Sequence, residues 1–219
     1  MKKHSAILKG VVFMVLVTLS IGVKAVLPPI TLPHTFSGNN VSSYIKLLER
    51  VKNLDETVDF KEFRLAYTET PEYNPYFVND GNSDLMNSAL DNKQYEDAIK
   101  YAQTVLDKNY TDMDAHVVCK IAYKESGQQV ESDFHDFVFK GLLKSILDSG
   151  DGKTPETAYQ VISIREEYII LTVFGLTYDV QNLIDVKGHS YDMFNLKGEQ
   201  KEIYFNIDIL DKWLKTQLK

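Results

Sequence analysis

The sequence predicts an α+β fold: helical hairpins first, then a small antiparallel β-sheet with flanking helices. Three observations predict it. Apolar residues recur at steps of three and four from Val41 to Ile146, the spacing that puts them on one face of a helix. After Gly150-Asp-Gly152 the pattern changes, and between about residues 180 and 208 it alternates with the period of two that marks a half-buried strand. The composition, 44% apolar and 25% charged with 13 Tyr and 11 Phe, is that of a globular chain able to fill a core.

Residues 1–25 read as a secretory leader. Lys2, Lys3 and Lys9 precede an uncharged run from Gly10 to Val23, and Val23-Lys24-Ala25 offers small residues for cleavage after Ala25. A membrane-spanning helix needs ~20 apolar residues, and Lys24 closes the run short of that. The expectation is a soluble exported chain, periplasmic or secreted, with no stable membrane insertion after cleavage. Removal of the leader leaves 20 basic and 31 acidic side chains, a net charge of −11. Such a surface repels phosphate backbones, which argues against nucleic acid as a partner. The single Cys119 rules out an internal disulfide framework and lies in an apolar helical pattern, as a buried small hydrophobe does.

Residues 26–40 hold three of the six prolines and form an extended linker. The helical region spans 41–149. Tyr44, Ile45, Leu48 and Val51 line a first helix, and Phe60, Phe63 and Tyr67 a second that ends before Pro71. After a turn at Tyr73-Asn-Pro-Tyr76, Asp80 or Ser83 caps a helix over Leu85, Met86, Ala89 and Leu90. The stripe Tyr95, Ala98, Ile99, Ala102, Val105 and Leu106 is the clearest amphipathic helix. A helix from Thr111 or Asp112 carries Ala115, Val118, Cys119 and Ala122 to a stop at Gly127; a longer one carries Phe134, Phe137, Val138, Leu142 and Ile146.

The hairpin at 83–107 and the next at 112–147 break at Asn92-Lys93 and at Gly127, about one ~34-residue repeat apart. With Ala89, Ala98 and Ala102 at close-approach positions, this half resembles a tetratricopeptide pair. It lacks the Trp and Gly of the first consensus helix and the closing Pro, so the resemblance implies architecture and no ligand-binding residues.

Residues 150–219 form the α+β C-terminal part, expected as a cap packed on the helical region. Ser163 and Glu166 match a capping box ahead of an apolar run that stops at Gly175. The β-branched Ile169, Ile170, Thr172 and Val173 argue for a strand there; the agreement of cap and stop selects a helix. Strands follow at about 180–187, 190–197 and 201–208, separated by turns at Lys187-Gly188 and Lys197-Gly198. A last helix buries Leu210, Trp213 and Leu214.

Arg64-Leu-Ala-Tyr-Thr68, Tyr73-Asn-Pro-Tyr76, Gly150-Asp-Gly-Lys-Thr-Pro-Glu-Thr-Ala-Tyr159, Glu166-Glu-Tyr168 and Gly188-His-Ser-Tyr-Asp192, with Tyr204-Phe205, carry a family likeness. Over most of the chain after about residue 57 it resembles domain-of-unknown-function family 4919, exported proteins found largely in Bacteroidetes. The resemblance implies a location and a fold, and no activity.

Among chemical candidates, Gly152-Lys153-Thr154 imitates the end of a phosphate loop, but position 147 is Leu where that loop needs Gly. Asp148-Ser-Gly-Asp-Gly152 imitates a calcium loop, with Gly at two ligand positions. Asp151 is better read as pinning the turn, although cation or small-ligand binding there stays an alternative. His34, His116, His135 and His189 lie far apart in sequence, without metal-site spacing, so no metal or cofactor is expected. His189 has Ser190 and Asp192 beside it, but no nucleophile elbow occurs. Glu166 and Glu167 are adjacent, so on a helix they point about 100° apart and make no catalytic pair by themselves.

Arg64, Tyr67, Tyr73 and Tyr76 combine ring area with hydrogen-bonding groups, the make-up of interface anchors, and are the candidate partner-binding set. Asp151, Glu156, Glu167 and His189 are the candidate set for a site at the junction of the two regions. The expected function is a non-enzymatic module that binds a protein or peptide; the alternative is a hydrolase or carbohydrate-active accessory protein.

Overall fold

The computed structural model describes residues 39–76, 81–198 and 202–218. The leader (1–25) and most of the linker lie outside the described residues. Eight helices and a four-stranded sheet make an α+β fold among the described residues, with the helices first. No helix among them is long and apolar enough to cross a membrane. The chain divides into two compact units.

The helical unit holds α1 (Asn39–Lys52), α2 (Phe60–Tyr67), α3 (Asn82–Asp91), α4 (Tyr95–Leu106), α5 (Met113–Glu125) and α6 (Gln129–Leu147) as far as Leu142. Asp59 caps α2 by accepting from the N–H groups of Lys61 and Glu62, and Asp112 caps α5 by accepting from Ala115. Of the two expected caps, Asp80 lies outside the described residues and Ser83 lies inside α3, which starts after Gly81 in the left-handed region at φ 82°. The α3–α4 hairpin turns at Lys93, which also has positive φ, and α5–α6 turns at Gly127.

Small residues set the packing. Ala98 and Ala102 of α4 are fully buried, as is Cys119 of α5, and these let α4 lie close against α3 and α5. On the other side Tyr44 stacks on Phe63 at 5.3 Å, and Tyr67 meets both Tyr44 and Tyr73. Phe60 of α2 packs edge-on against Phe137 of α6. A Cβ at Gly141 would lie 2.3 Å from the Phe60 ring, so only glycine admits this contact.

The α+β unit runs from Leu143 and includes the described residues 74–76. Its entry is a knot of backbone bonds. The N–H groups of Asp151 and Gly152 both donate to the carbonyl of Thr157, and Asp151 Oδ1 accepts from Thr157 Oγ1 at 2.6 Å and from the Lys153 N–H. Gly150 is required because a Cβ would sit 2.3 Å from that Thr157 carbonyl. Asp151 therefore pins the turn.

Four strands follow in the order β1-β4-β3-β2: β1 (Tyr159–Gln160), β2 (Tyr178–Val186), β3 (His189–Leu196) and β4 (Glu202–Asn206). The sheet is mixed where an antiparallel one is expected: β2-β3-β4 form an antiparallel meander, and the two-residue β1 adds in parallel to β4. The alternation between residues 180 and 208 reveals only the meander. β1 is too short to show a period and is placed by the knot before it. Lys187 and Gly188, at φ 56° and 84°, form the two-residue turn that matches strand twist.

The run after Ser163 is helical, as α7 (Ile164–Val173). The capping box is not formed as expected. The Ser163 side chain makes no cap bond, and Glu166 reaches back to the N–H of Ile162 at 2.8 Å. α8 (Asp208–Gln217) closes the unit with Leu210 buried, whereas Trp213 is half-buried and Leu214, expected inside, is exposed. The core of the unit combines Phe194, Phe205, Ile203, Ile170 and Leu210.

Candidate functional site

Glu166 and Glu167 have different fates because a helix turns about 100° between them. Glu166 serves the helix start, while Glu167 points toward the sheet and is completely buried. Among the described residues neither of its oxygens accepts a hydrogen bond. Its neighbour is Asp192 of β3, also buried, whose Oδ2 accepts from Gln181 Nε2 of β2 at 2.9 Å. Tyr168 donates its hydroxyl to Gln181 Oε1 at 3.2 Å, so the chain of bonds runs from α7 across β2 to β3.

Burial pushes the Glu167 carboxyl well above the usual carboxylate range, and the Asp192 charge raises it further. Two ionised carboxylates have no hydrogen between them. A proton on Glu167 supplies one, and Asp192 lies within reach to accept it. Asp192 is raised by burial, against which the bonds from Gln181 and Glu167 hold its charge. The two carboxyls therefore titrate as a coupled pair, and Glu167 is the one held protonated well above the ordinary range.

Aromatic rings border the pair. Tyr168 and Tyr178 lie with centroids 6.4 Å apart, each also edge-on to Phe194. Tyr76 packs on Trp213 at 6.0 Å. Burial pushes the Tyr168 hydroxyl up to about 12, and burial also raises that of Tyr76; Glu167 and Asp192 add to both. Tyr168 reaches Asp192 through Gln181, Tyr76 feels the charge of both acids after that of Asp211, and each tyrosine keeps 38% of its surface in solvent. A half-exposed aromatic rim over a buried acidic pair suits recognition of a cationic group, held by ring faces and a negative floor.

Of the sequence-selected partner set, Arg64, Tyr67 and Tyr73 are 2%, 5% and 5% exposed. They belong to the helical core, and Tyr76 alone presents its ring. The junction set does not converge. Asp151 is held by Thr157 and Lys153, Glu156 pairs with Lys187 at 3.3 Å, Glu167 with Asp192, and His189 Nδ1 with Asp208 Oδ2 at 2.7 Å. His189 thus turns to Asp208 and not to Asp192, while Ser190 donates its hydroxyl to Asp211. All four sit in the α+β unit. Among the described residues no group of three or more His, Cys, Asp or Glu is disposed to hold a metal ion.

A second polar pair lies in the helical unit. His116 and His135, 19 residues apart, meet with their Nδ1 atoms 2.9 Å from each other, both buried. Sequence spacing separates them, and only the α5–α6 hairpin joins them.

A family model described as a domain of unknown function, DUF4919, matches residues 36–216. The chain belongs to the DUF4919 family. The match begins earlier than the sequence motifs suggest and takes in both units. Glu167, Asp192, Gln181 and the rings of Tyr76, Tyr168, Tyr178, Phe194 and Trp213 all fall inside the DUF4919 match. No curated protein and no solved structure matches the chain.

Proposed function

We propose that this DUF4919 protein is an exported, periplasmic or secreted, non-catalytic binding protein that recognises a protein or peptide segment through a basic side chain. The single observation that carries the reading is the buried Glu167–Asp192 pair, joined through Gln181 to the half-exposed Tyr168 and lending its charge to the half-exposed Tyr76. Its negative charge attracts an ammonium or guanidinium group, and the ring faces hold that group without an ordering cost in long side chains. In this reading the helical unit is a tetratricopeptide-like scaffold. α4 starts at Tyr95 and α6 at Gln129, one repeat of ~34 residues.

Trp213 is the only tryptophan in the chain and packs on Tyr76, so its fluorescence reports binding directly. Lysine- or arginine-bearing peptides are expected to change the emission saturably, and glutamate-bearing peptides of equal length are not. Asp192→Asn and Tyr76→Ala are each expected to abolish the response. An equal response to acidic peptides, or a response that survives Asp192→Asn, overturns the reading.

A further inference from the structure

β2 ends the sheet, and its sequence Tyr178-Asp-Val-Gln-Asn-Leu-Ile-Asp-Val186 leaves Leu183 72% and Val180 51% exposed. The turn at Lys187-Gly188 fixes which backbone groups face outward. A two-residue turn closes with a hydrogen-bonded pair, here Val186 and His189, and antiparallel ladders alternate bonded and non-bonded pairs. Val186, Ile184, Asn182 and Val180 therefore spend their N–H and C=O groups on β3. Gln181, Leu183 and Asp185 direct theirs to the open side, where no strand among the described residues pairs with them.

We infer that this edge pairs with the β2 edge of a second copy of the chain, antiparallel, about a two-fold axis through Leu183. Charge selects the occupant and the register. Centred on Leu183, the pairing puts Gln181 opposite Asp185 and Val180 opposite Val186, and at both ends it brings Asp179, in the bulge between Tyr178 and Val180, beside Lys187 in the turn of the other copy. Leu183 meets Leu183, and the three outward residues of each strand exchange their N–H and C=O groups. A shift to Asn182 as centre sets Asp179 against Asp185, which repels. A shift to Ile184 brings Asp185 against Leu183 and pairs no opposite charges. The present partners of Asp179 and Lys187, which are Lys197 and Glu156, are exposed ion pairs of little strength and can be exchanged. The surface is self-complementary, as two-fold interfaces are, and it stands independently of the ligand reading.

Sedimentation equilibrium of the purified chain from micromolar to millimolar concentration tests it. The expected result is a reversible monomer–dimer equilibrium. Asp179→Lys alone and Lys187→Asp alone should each weaken association about tenfold, since each places like charges opposite at two points, and the double exchange should restore it. That restoration separates a register effect from misfolding. Leu183→Cys should cross-link to itself under mild oxidation, because bonded antiparallel neighbours are ~5.5 Å apart at Cα, within disulfide reach. Val180→Cys, which faces Val186, should not. A monomer at all concentrations overturns the inference. A dimer indifferent to the charge exchange, or one that cross-links at Val180 and not at Leu183, overturns it as well.

Discussion

Nδ1 of His116 lies 2.9 Å from Nδ1 of His135, and the contact fixes both tautomers. Nε2 of His116 faces the carbonyl oxygen of Tyr110 at 3.1 Å, which can only accept, so that nitrogen carries the hydrogen. The neutral His116 ring then accepts at Nδ1, and His135 donates its Nδ1–H. His135 also stacks on Tyr123 at 5.6 Å.

This pair makes the protein acid-sensitive. Burial holds His116 down to about 4, and burial together with the His116 charge holds His135 down to about 2. Between pH 6.5 and about 4 the unfolded chain binds protons at both rings and the folded chain does not, so stability falls as pH falls. The loss approaches ~1.4 kcal/mol per pH unit for each ring. Urea midpoints at pH 7 and pH 5 measure it, and a His135→Phe variant should show a shallower pH slope.

Glu167 acts in the opposite sense. Its folded form keeps a proton that the unfolded form releases above its ordinary range, so its stabilisation is present in acid and is lost as pH rises. Glu167→Gln replaces the acid by an amide that can donate to Asp192 at any pH. It should raise stability at pH 8 by about 1–3 kcal/mol and change little at pH 4. Equal effects at both pH values would contradict a shared proton.

Gly141→Ala should cost about 1–3 kcal/mol by driving a methyl into the Phe60 ring. Phe60→Leu in the same chain should recover part of it, so the two changes are non-additive in a thermal-melt cycle.

Gly150→Ala should be worse than Gly175→Ala. At Gly150 the added carbon meets the backbone carbonyl of Thr157, which cannot step aside while it accepts from Asp151 and Gly152. Gly175 has open space, and only its φ of 64° opposes the change, at ~1 kcal/mol. Comparable melting temperatures for the two variants would refute the reading of the knot.

Helices and strands were legible where one period ran long enough, as in the Ala98–Ala102 stripe and the Ile203–Phe205 alternation. The site was half legible. Glu167 stood out as a second acid beside a capping Glu166, but its partner Asp192 read as a neighbour of His189. The available signal was an acidic residue in the apolar register of a strand, between Ser190 and Phe194. His116 and His135 carried no signal at all, since their meeting depends on how two helices cross. Arg64, Tyr67 and Tyr73 lie in the core, which their types alone do not reveal, since rings and guanidinium suit a core and an interface alike.

Cys119 is fully enclosed between helices, and burial pushes its thiol up to about 12. A thiol reagent can reach that sulfur only while the packing around α5 is parted. The sole sulfhydryl of the chain is thereby a built-in clock, and its labelling rate counts openings of the helical unit one event at a time.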